Sequence, residues 1–434
     1  MLLDKEAGLS RKRRTLVTVA LGCAVGVVAA GCGGGGSGDS GGSGGGGGGE
    51  AEAVKIVSDL PLQGANRTQT ESMVNAIQLA IEQRDGMVGD LRIEYESLDD
   101  SVAQTGSWDE ARCAQNAQET AQDEQVVGWI GPFNSGCAAV QIPILNEAGL
   151  AMVSPANTAL GLTKEGGDEG EPDRYYPTGE RNYTRTITAD DKQGRLGAVL
   201  MEEEGVERVF ILDDREVYGQ GLADQVEMAA EELGIEVVGR EGIDGSAANY
   251  RGIMNRIAEE DVDAIYFGGI IENNAGQIVR DKVAAGMSNE DVLFVVPDGV
   301  LVDTYIEQGG DASEGTYATL GGVPASELGE TGQSFVEEYE AAYPDVPIAA
   351  YTAYAYESAN VMLDAIERAA EEAGGPPERA AVVEQLFATE DYEGVLGTWS
   401  FDEEGDTTLT ELSVQRVENG EFVLDRVLDV GEGQ

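Results

Sequence analysis

The sequence of 434 residues contains no histidine. This absence excludes catalytic triads in which histidine activates serine or cysteine, zinc sites with histidine ligands, and the usual neutral-pH general base. Basic residues are also scarce, with 27 lysines and arginines against 81 aspartates and glutamates and a net charge of −54. Nucleic-acid binding depends on cationic side chains that replace phosphate counterions. We therefore expect neither a histidine-dependent enzyme nor a nucleic-acid-binding protein.

The few basic residues are mostly arginine, because only six of the 27 are lysine. An acidic surface poor in lysine keeps a protein soluble in concentrated salt whatever its function. We therefore interpret the charge as a halophilic adaptation. The alternative, an acidic surface that serves a cationic ligand, stays open.

Aspartates form pairs at three places, Asp99-Asp100, Asp190-Asp191 and Asp213-Asp214. None of these pairs has the spacing of an EF-hand calcium loop. We predict that the pairs lie on solvated faces and that the protein holds neither a metal ion nor another cofactor.

The N-terminal segment has the pattern of an export signal. Four basic residues at 11–14 precede an apolar run at residues 16–30, which is short for a membrane-spanning helix. Ala29-Ala30-Gly31-Cys32 resembles the lipobox of prokaryotic lipoproteins, so residues 1–31 are predicted to be a signal peptide and Cys32 to carry lipid. Residues 33–49 are glycine or serine except Asp39, which makes 32–50 a flexible tether. The alternative is an uncleaved membrane helix with a linker.

Cysteine usage agrees with export. Cys23 would leave with the signal and Cys32 would carry lipid, so Cys113 and Cys137 remain as a pair in an oxidising compartment. We expect a disulfide between them, and two free buried thiols are the alternative.

From residue 54 onward, short β-branched runs alternate with segments of helical periodicity, which is typical of βαβ units with a parallel sheet. Strands are predicted at residues 54–60, 91–98, 126–131, 150–154, 206–212, 235–241, 264–268 and 292–296. Helices are predicted at residues 70–84, 108–123, 135–148, 191–204, 219–233, 250–260 and 274–285, with Ser135 as a helix N-cap. Residues 330–388 are predicted to be mostly helical. Three tyrosines there, Tyr351, Tyr354 and Tyr356, have helical spacing near the expected rim of a cleft, and we expect them to pack in the core rather than to line the cleft. The sequence thus predicts two α/β blocks, a helical region and a tail of strands.

Ligands of such sheets bind outside the carboxyl ends of the strands, so the loops that follow strands are the candidate sites. The loops around Ser135 and Thr158 offer hydroxyls and backbone amides near a helix start, which suit a carboxylate. Asp298, in a turn after the last strand of the second block, could pair with an ammonium group. The alternatives are a helix cap at Ser135, a turn at Thr158 and an ordinary turn aspartate at Asp298.

The loop sequences also carry a family resemblance. Six segments occur in the order and with the spacing of the leucine/isoleucine/valine-binding family of ABC-transporter substrate-binding proteins, which this chain closely resembles over nearly all of residues 54–430. The segments are Gly-Pro-Phe-Asn-Ser-Gly at 131–136, Ile-Pro-Ile-Leu-Asn-Glu-Ala-Gly at 142–149, Ser-Pro-Ala-Asn-Thr at 154–158, Val-Tyr-Gly-Gln-Gly-Leu-Ala at 217–223, Ile-Tyr-Phe-Gly-Gly at 265–269 and Phe-Asp-Glu-Glu-Gly-Asp at 401–406.

The resemblance implies the type I periplasmic-binding-protein fold. In this α/β fold two lobes, each a parallel sheet flanked by helices, are joined by three hinge crossovers and close on a ligand. Residues 51–185 and 320–405 are then expected to form the first lobe, and residues 186–319 and 406–434 the second.

The resemblance also implies a binding site for a zwitterion. By the family's pattern, Ser135, Ala156 and Thr158 bind the ligand's α-carboxylate in the first lobe. Tyr218 faces the ligand from the second lobe, and Asp298 stands where the family usually has an acidic residue for the α-ammonium. Further residues of these segments complete the predicted site: Asn134, Gly136, Asn157 and Ile270.

Two positions depart from the family's pattern. Ile270 stands where branched-chain binders tend to have tyrosine, in a slightly longer loop, and Asp298 is shorter than the usual glutamate by one methylene. The resemblance predicts a branched-chain amino acid as the ligand, and an amide, a urea-like compound or an aromatic acid is the alternative.

The function that follows is binding without catalysis. We expect a monomeric extracytoplasmic protein, held by the lipid on Cys32 at the outer face of the cytoplasmic membrane, that delivers a small amino acid to ABC permease and ATPase subunits. The chain has no phosphate-binding Gly-x-x-x-x-Gly-Lys motif of its own, so ATP hydrolysis belongs to a partner. A ligand-sensing module for a signalling partner is the alternative.

Overall fold

The computed structural model describes residues 51–166 and 168–431. The predicted signal peptide (1–31), the lipidation site Cys32 and the tether (32–50) lie outside these residues. The described residues belong to one compact unit. In the described part of the chain, no helix is both long enough and apolar enough to cross a bilayer.

The first sheet is built from six strands in the order β2-β3-β1-β6-β7-β8, parallel except for the short edge strand β2. Its strands are β1 (Ala53–Leu60), β2 (Met87–Val88), β3 (Leu91–Asp99), β6 (Val126–Ile130), β7 (Ala151–Ser154) and β8 (Tyr183–Arg185), and a small separate hairpin is formed by β4 (Ser101–Val102) and β5 (Ser107–Trp108). The helices of this part are α1 (Arg67–Glu82), α2 (Glu110–Ala121) and α3 (Ser135–Glu147). All five residues of β6 are buried, as expected for a central strand covered on both faces.

The second sheet repeats this design, with the parallel order β10-β9-β11-β12-β13. Its strands are β9 (Arg208–Asp213), β10 (Glu236–Gly242), β11 (Ala264–Gly268), β12 (Leu293–Val296) and β13 (Tyr317–Leu320). Its helices are α4 (Asp190–Glu203), α5 (Val217–Leu233), α6 (Arg251–Ile257), α7 (Ala275–Ala284) and α8 (Asp303–Gly309).

After β13 the chain returns to the first sheet. The returning segment contains α9 (Glu330–Ala342), α10 (Thr352–Ala373), α11 (Arg379–Phe387), β14 (Tyr392–Gly394) and β15 (Gly397–Trp399). The long helix α10 packs against α1, and α10 and α11 both cover β6 and β7. Helices far apart in the sequence therefore complete the first lobe.

The chain ends as an antiparallel hairpin, β16 (Glu411–Glu418) and β17 (Glu421–Asp429), that extends the second sheet from β13. Its turn residues Asn419 and Gly420 both have positive φ, 55° and 79°, as a two-residue type I′ turn requires. The chain thus passes between the sheets three times: after β8, after β13 and after β15. This is the two-lobed fold class that the sequence predicts.

A buried ion pair lies beside the crossovers. Arg185, at the end of β8, is fully buried and donates from Nε to Oδ1 of Asp406 at 2.6 Å, and its Nη1 reaches the carbonyl of Ala159 at 2.9 Å. Lys164 adds a second cation to Asp406 at 3.0 Å. These cations hold the pKa of Asp406 at about 2 despite its burial. The pair fixes the third crossover against the first lobe.

The predicted strands and helices are present, with two kinds of difference. Short strands, among them β8 and β13, were not predicted. The three residues of β8 give too little periodicity, whereas β13 has the same length and burial as the predicted β7 and was overlooked. The prediction of Ser135 as N-cap was wrong by one residue, since Asn134 holds the extended cap position and Ser135 is the first helical residue. Cys113 in α2 and Cys137 in α3 form the expected disulfide, with their Cα atoms 5.6 Å apart.

Candidate ligand-binding site

A small cavity of about 20 Å³ lies between the two sheets, at the carboxyl ends of their strands. The first lobe contributes residues from the loops after β6 and β7, and the second contributes residues that follow β9, β11 and β12. The lining residues are Phe133, Asn134, Ser135, Ala156, Tyr218, Ile270, Asp298, Gly299 and Tyr351. Six of these nine belong to the site predicted from the sequence, so the fold brings together loops that are far apart along the chain.

On the first-lobe side, the cavity meets the start of α3. Gly131 allows this approach, because its φ is +128° and a side-chain carbon there would lie 2.6 Å from the carbonyl oxygen of Asp59. Ser135 opens the helix, is buried, and its hydroxyl accepts from the backbone N–H of Ala159 at 3.3 Å. The unpaired N–H groups and dipole of a helix start favour a negatively charged group at this wall.

Three further predicted residues lie next to the cavity rather than on its wall. Asn157 donates to the carbonyl of Phe133 at 2.8 Å and accepts from Tyr183, so its side chain holds the loop in place. Gly136 lies against the indole of Trp108, which leaves no room for a side chain. Thr158 is buried, and its backbone carbonyl accepts from the N–H of Asp190 at 2.8 Å.

On the second-lobe side, Asp298 is buried and accepts hydrogen bonds from the hydroxyls of Tyr218 and Tyr351. Burial raises the pKa of Asp298 above its ordinary value, and the hydrogen bonds from the two tyrosines oppose that rise. The pKa of Tyr218 and that of Tyr351 are both raised well above the ordinary value, by burial and then by the charge of Asp298. A buried carboxylate has lost the water that would stabilise its charge. It therefore favours the binding of a cation, which compensates for that loss.

Tyr351 packs in the hydrophobic core, as the sequence predicts, and has a second role at the cavity. It precedes α10, donates to Asp298 from the opposite lobe, and packs edge-on against Phe133 with ring centroids 5.5 Å apart. The sequence places these tyrosines near the cleft rim, but helical spacing does not identify Asp298 as the partner of Tyr351, because it says nothing of the neighbouring lobe.

The prediction of solvated acidic pairs was also wrong. Asp100 and Asp190 are fully buried, and Asp213 and Asp214 are 5% and 6% exposed. These pairs follow strands or begin helices, where backbone N–H groups need acceptors, and Asp214 accepts from the N–H of Glu216 ahead of α5 at 2.9 Å.

Burial also affects the ionisation of these carboxyls. The pKa of Asp214 is raised to about 7, chiefly by burial.

Among the described residues, the one cluster with metal-ligand geometry is Asp100 with Cys113 and Cys137, whose sulfurs are already joined in the disulfide.

The loop that departs from the family's pattern contributes to the cavity and to its closure. Ile270 is buried and lines the wall, whereas Glu272 reaches across to the first lobe. The Glu272 carboxylate accepts from the backbone N–H and the side-chain amide of Asn66, at 3.0 and 2.8 Å. Trp108 donates from Nε1 to Glu216 at 3.0 Å in a second contact between the lobes. The cleft is therefore closed over the cavity.

Comparison with known proteins places this geometry in a family. The family model described as "Periplasmic binding protein" matches residues 53–421. The leucine-, isoleucine-, valine-, threonine- and alanine-binding protein of Pseudomonas aeruginosa is 26% identical over 359 residues, which are 82% of this chain and 87% of that protein.

Solved structures show the same architecture. The leucine-binding protein LivK of Thermotoga maritima, 27% identical, has a TM-score of 0.75 over 87% of this chain and 99% of its own. A solute-binding protein of R. palustris in complex with benzoate, 18% identical, has a TM-score of 0.72 over 88% and 98%, a likeness of fold alone. With its matched residues, its two closed lobes and its inter-lobe cavity, this chain belongs to the periplasmic binding protein family.

Proposed function

We propose that the protein is an extracytoplasmic substrate-binding protein that captures a small amino acid, with a branched-chain side chain, and delivers it to an ABC permease. The observation that carries the proposal is the pairing of two opposite electrostatic walls in one inter-lobe cavity. The start of α3 at Ser135 faces the cavity from one lobe, and the buried carboxylate of Asp298 faces it from the other.

These walls match the two charges of an α-amino acid. The ligand carboxylate would accept from the N–H groups and the hydroxyl at the start of α3, with Thr158 close by. The ligand ammonium would donate to Asp298, which Tyr218 and Tyr351 hold in place. Ile270 and Phe133 supply an apolar surface for the ligand side chain.

Binding requires the cleft to open and close, because the closed cavity is far smaller than an amino acid. Opening would break the Asn66–Glu272 and Trp108–Glu216 hydrogen bonds as well as that from Tyr351 to Asp298. We propose residues 51–185 with 320–405 and residues 186–319 with 406–434 as the two moving bodies. A ligand that contacts both lobes stabilises the closed form, which is the form that a permease can recognise.

We further propose that the chain is anchored at the outer face of the cytoplasmic membrane by lipid on Cys32, followed by the glycine-rich tether. The test is the variant Cys32→Ser in the native host, with Cys23→Ser as the control. Cys32→Ser is expected in the medium and Cys23→Ser in the membrane fraction. Membrane retention of both would overturn the anchor.

The ligand assignment is tested by a thermal-shift screen of residues 50–434 at high salt. A ligand at about 100 times its Kd adds about 2.7 kcal/mol of stability, which raises the Tm measurably. Leucine, isoleucine or valine should raise the Tm, whereas benzoate, acetamide and urea should not. Stabilisation by benzoate or by an amide alone would overturn the amino-acid assignment while leaving the binding-protein assignment intact.

A further inference from the structure

The disulfide between Cys113 and Cys137 lies beside a buried carboxyl group. Asp100, which follows β3, is fully buried, and its Oδ2 lies 3.7 Å from Sγ of Cys137. A sulfur in a disulfide carries no proton, so it cannot donate to that oxygen. The other oxygen, Oδ1, has no hydrogen-bond partner within residues 51–166 and 168–431. A desolvated carboxyl group without a donor is costly, so it points to a group that the oxidised protein does not supply.

The backbone of Asp100, unlike its side chain, has a clear structural role. Its N–H donates to the carbonyl of Leu60 at 3.4 Å, and its carbonyl accepts from the N–H of Asp109 at 2.9 Å. Any residue other than proline would make both bonds. The carboxyl group is therefore not needed to hold the loop between β3 and α2.

The two sulfurs and the carboxyl group have the separations of metal ligands. Both sulfurs and one oxygen of Asp100 lie within 4.8 Å of one another, and all three residues are buried. The cysteines come from α2 and α3, which pack together and hold the two Cα atoms 5.6 Å apart. Zinc lies about 2.3 Å from thiolates and about 2.0–2.2 Å from carboxylate oxygens, so its tetrahedral ligands are about 3.5–3.8 Å apart. Once the sulfurs are no longer joined, side-chain rotations suffice to reach this geometry.

A second buried carboxyl group adjoins the cluster. Asp59 is fully buried and accepts from the side-chain amides of Asn116 at 2.8 Å and Gln141 at 2.5 Å. Gln141 also donates to the carbonyl of Cys113 at 3.4 Å. Burial, and then the charge of Asp59, raises the pKa of Asp100 well above its ordinary value. Amides that orient a carboxyl group beside the ligands are typical surroundings of a metal site, and two buried carboxyl groups favour a divalent cation.

We propose that Cys113, Cys137 and Asp100 form a Zn²⁺ site when the disulfide is reduced. Two molecules of a thiol reductant pass two electrons and two protons to the protein sulfurs and leave as a disulfide. Zn²⁺ then displaces the thiol protons and that of Asp100, and water completes the tetrahedron. Thiolate ligands select Zn²⁺ over Mg²⁺ and Ca²⁺, which take oxygen ligands. A small-molecule disulfide that accepts two electrons from the thiolates leaves as two thiols, restores the protein disulfide and releases the ion.

The ion and the disulfide are then alternative links between α2 and α3. Helix α3 begins at Ser135 on the cavity wall, and its second residue, Gly136, lies against the indole of Trp108. Either link holds α3 in place, so the reduced protein with Zn²⁺ keeps its fold. The sequence analysis predicted no metal ion, because it judged the pair Asp99-Asp100 by the spacing of calcium loops alone.

The experiment titrates Co²⁺, a spectroscopic substitute for Zn²⁺, into the purified protein in its reduced and oxidised forms. A phosphine reduces the disulfide, takes up the oxygen of a water molecule and is removed under argon. Excess Mg²⁺ occupies the exposed carboxylates. The reduced protein should bind one Co²⁺ with the absorption bands of tetrahedral thiolate coordination, and Zn²⁺ should abolish these bands. The oxidised protein should show none. Zn²⁺ should raise the Tm of the reduced protein alone.

Three variants assign the ligands. Asp100→Asn keeps both cysteines and should weaken Co²⁺ binding by at least the roughly 10–100-fold that loss of an outer partner costs. Its Tm in the oxidised form shows whether it is folded. Glu119→Gln, at an exposed position of α2, is the matched control and should bind Co²⁺ as the wild type does. Cys113→Ser with Cys137→Ser should show no thiolate bands.

The assignment is overturned if the reduced wild type shows no thiolate bands, if Zn²⁺ leaves its Tm unchanged, or if folded Asp100→Asn binds Co²⁺ with unchanged affinity. X-ray absorption of the reduced wild type with Zn²⁺ tests the same ligands without a variant. It should show two sulfurs at about 2.3 Å and oxygens at about 2.0–2.2 Å. A shell of oxygens alone, or of sulfurs alone, would exclude the proposed site.

Discussion

Glu272 is expected to make closure of the cleft dependent on pH. Its carboxylate accepts two hydrogen bonds from Asn66 across the cleft, and its pKa in the closed form is raised to about 7, chiefly by burial. The charge of Glu216 adds to that rise. In an open cleft Glu272 would return to water and to its ordinary pKa of 4.5. A group with a higher pKa in the closed form favours closure when protonated. The stabilisation of the closed cleft by protonated Glu272 is therefore fully present below the open-form pKa and is lost as the pH rises through 7.

The size of the effect follows from the two pKa values. If the pKa of Glu272 shifts by the full difference between the open and the closed cleft, raising the pH from 5.5 to 8.5 would weaken closure, and with it ligand affinity, by about 30-fold. Glu272 lies at the rim of the cleft and keeps some contact with water, which screens the effect. We therefore expect about tenfold, or roughly 1.4 kcal/mol. Glu272→Gln stays neutral at both pH values, so it should lose this part of the pH dependence.

The assay is calorimetric titration of leucine into the wild type and Glu272→Gln at pH 5.5 and 8.5. For each protein, the affinity for leucine at pH 5.5 is divided by the affinity at pH 8.5. Other titrating groups near the ligand change this quotient equally in both proteins, so dividing the wild-type quotient by the Glu272→Gln quotient isolates the contribution of Glu272. Glu260→Gln, an exposed glutamate of the same lobe, is the matched control and should behave as the wild type. If the wild-type and Glu272→Gln quotients differ by less than threefold, which is on the same order as the scatter of additive mutations, the proposed role of Glu272 in closure is refuted.

Three other predictions concern charge and covalent structure. Asp298→Ala should weaken leucine binding by about 2–5 kcal/mol in the same titration, because it removes the buried partner of the ammonium; unchanged affinity would exclude that role. Cys113→Ser with Cys137→Ser should lower the free energy of unfolding by about 3.5 kcal/mol, the loop-closure value for their separation of 24 residues, as measured in urea. Equal stability would show that the bridge adds nothing. Arg185→Met should cost about 3–5 kcal/mol in the same assay, since it leaves Asp406 buried without its guanidinium. A smaller cost would show that Lys164 suffices.

Most strands and helices, and the positions of the loops between them, could be predicted from the sequence. The eight predicted strands are long enough, or buried enough, to show their periodicity, and ligand sites of such sheets occur at their carboxyl ends. These loops made Ser135 and Asp298 separate candidates, and the family resemblance added Tyr218 and predicted that the three lie in one cleft. The roles of individual residues within that cleft stay predictions until binding is measured.

What the sequence did not predict depends on contacts between distant segments. Nothing in the sequence distinguishes Asp190 from the many other acidic residues of the chain, and only the packing of α4 under Thr158 buries it. Tyr351 has the spacing of a core residue, yet its hydroxyl crosses to Asp298 in the other lobe. Glu272 reaches Asn66 across 206 residues of chain. Local periodicity carries no information on such pairings.

The return of the chain from the second sheet to the first determines when the first lobe can fold. Helix α10 packs against α1, although its first residue is Thr352 and α1 ends at Glu82. Until α10 has been synthesised, the apolar face that it covers on β6 and β7 is open to water and to other chains. Contacts of such high sequence separation slow folding, because a long loop must close before they form. The first lobe is therefore a late product of biosynthesis, and a chain interrupted after β13 would expose an uncovered sheet on which copies could aggregate.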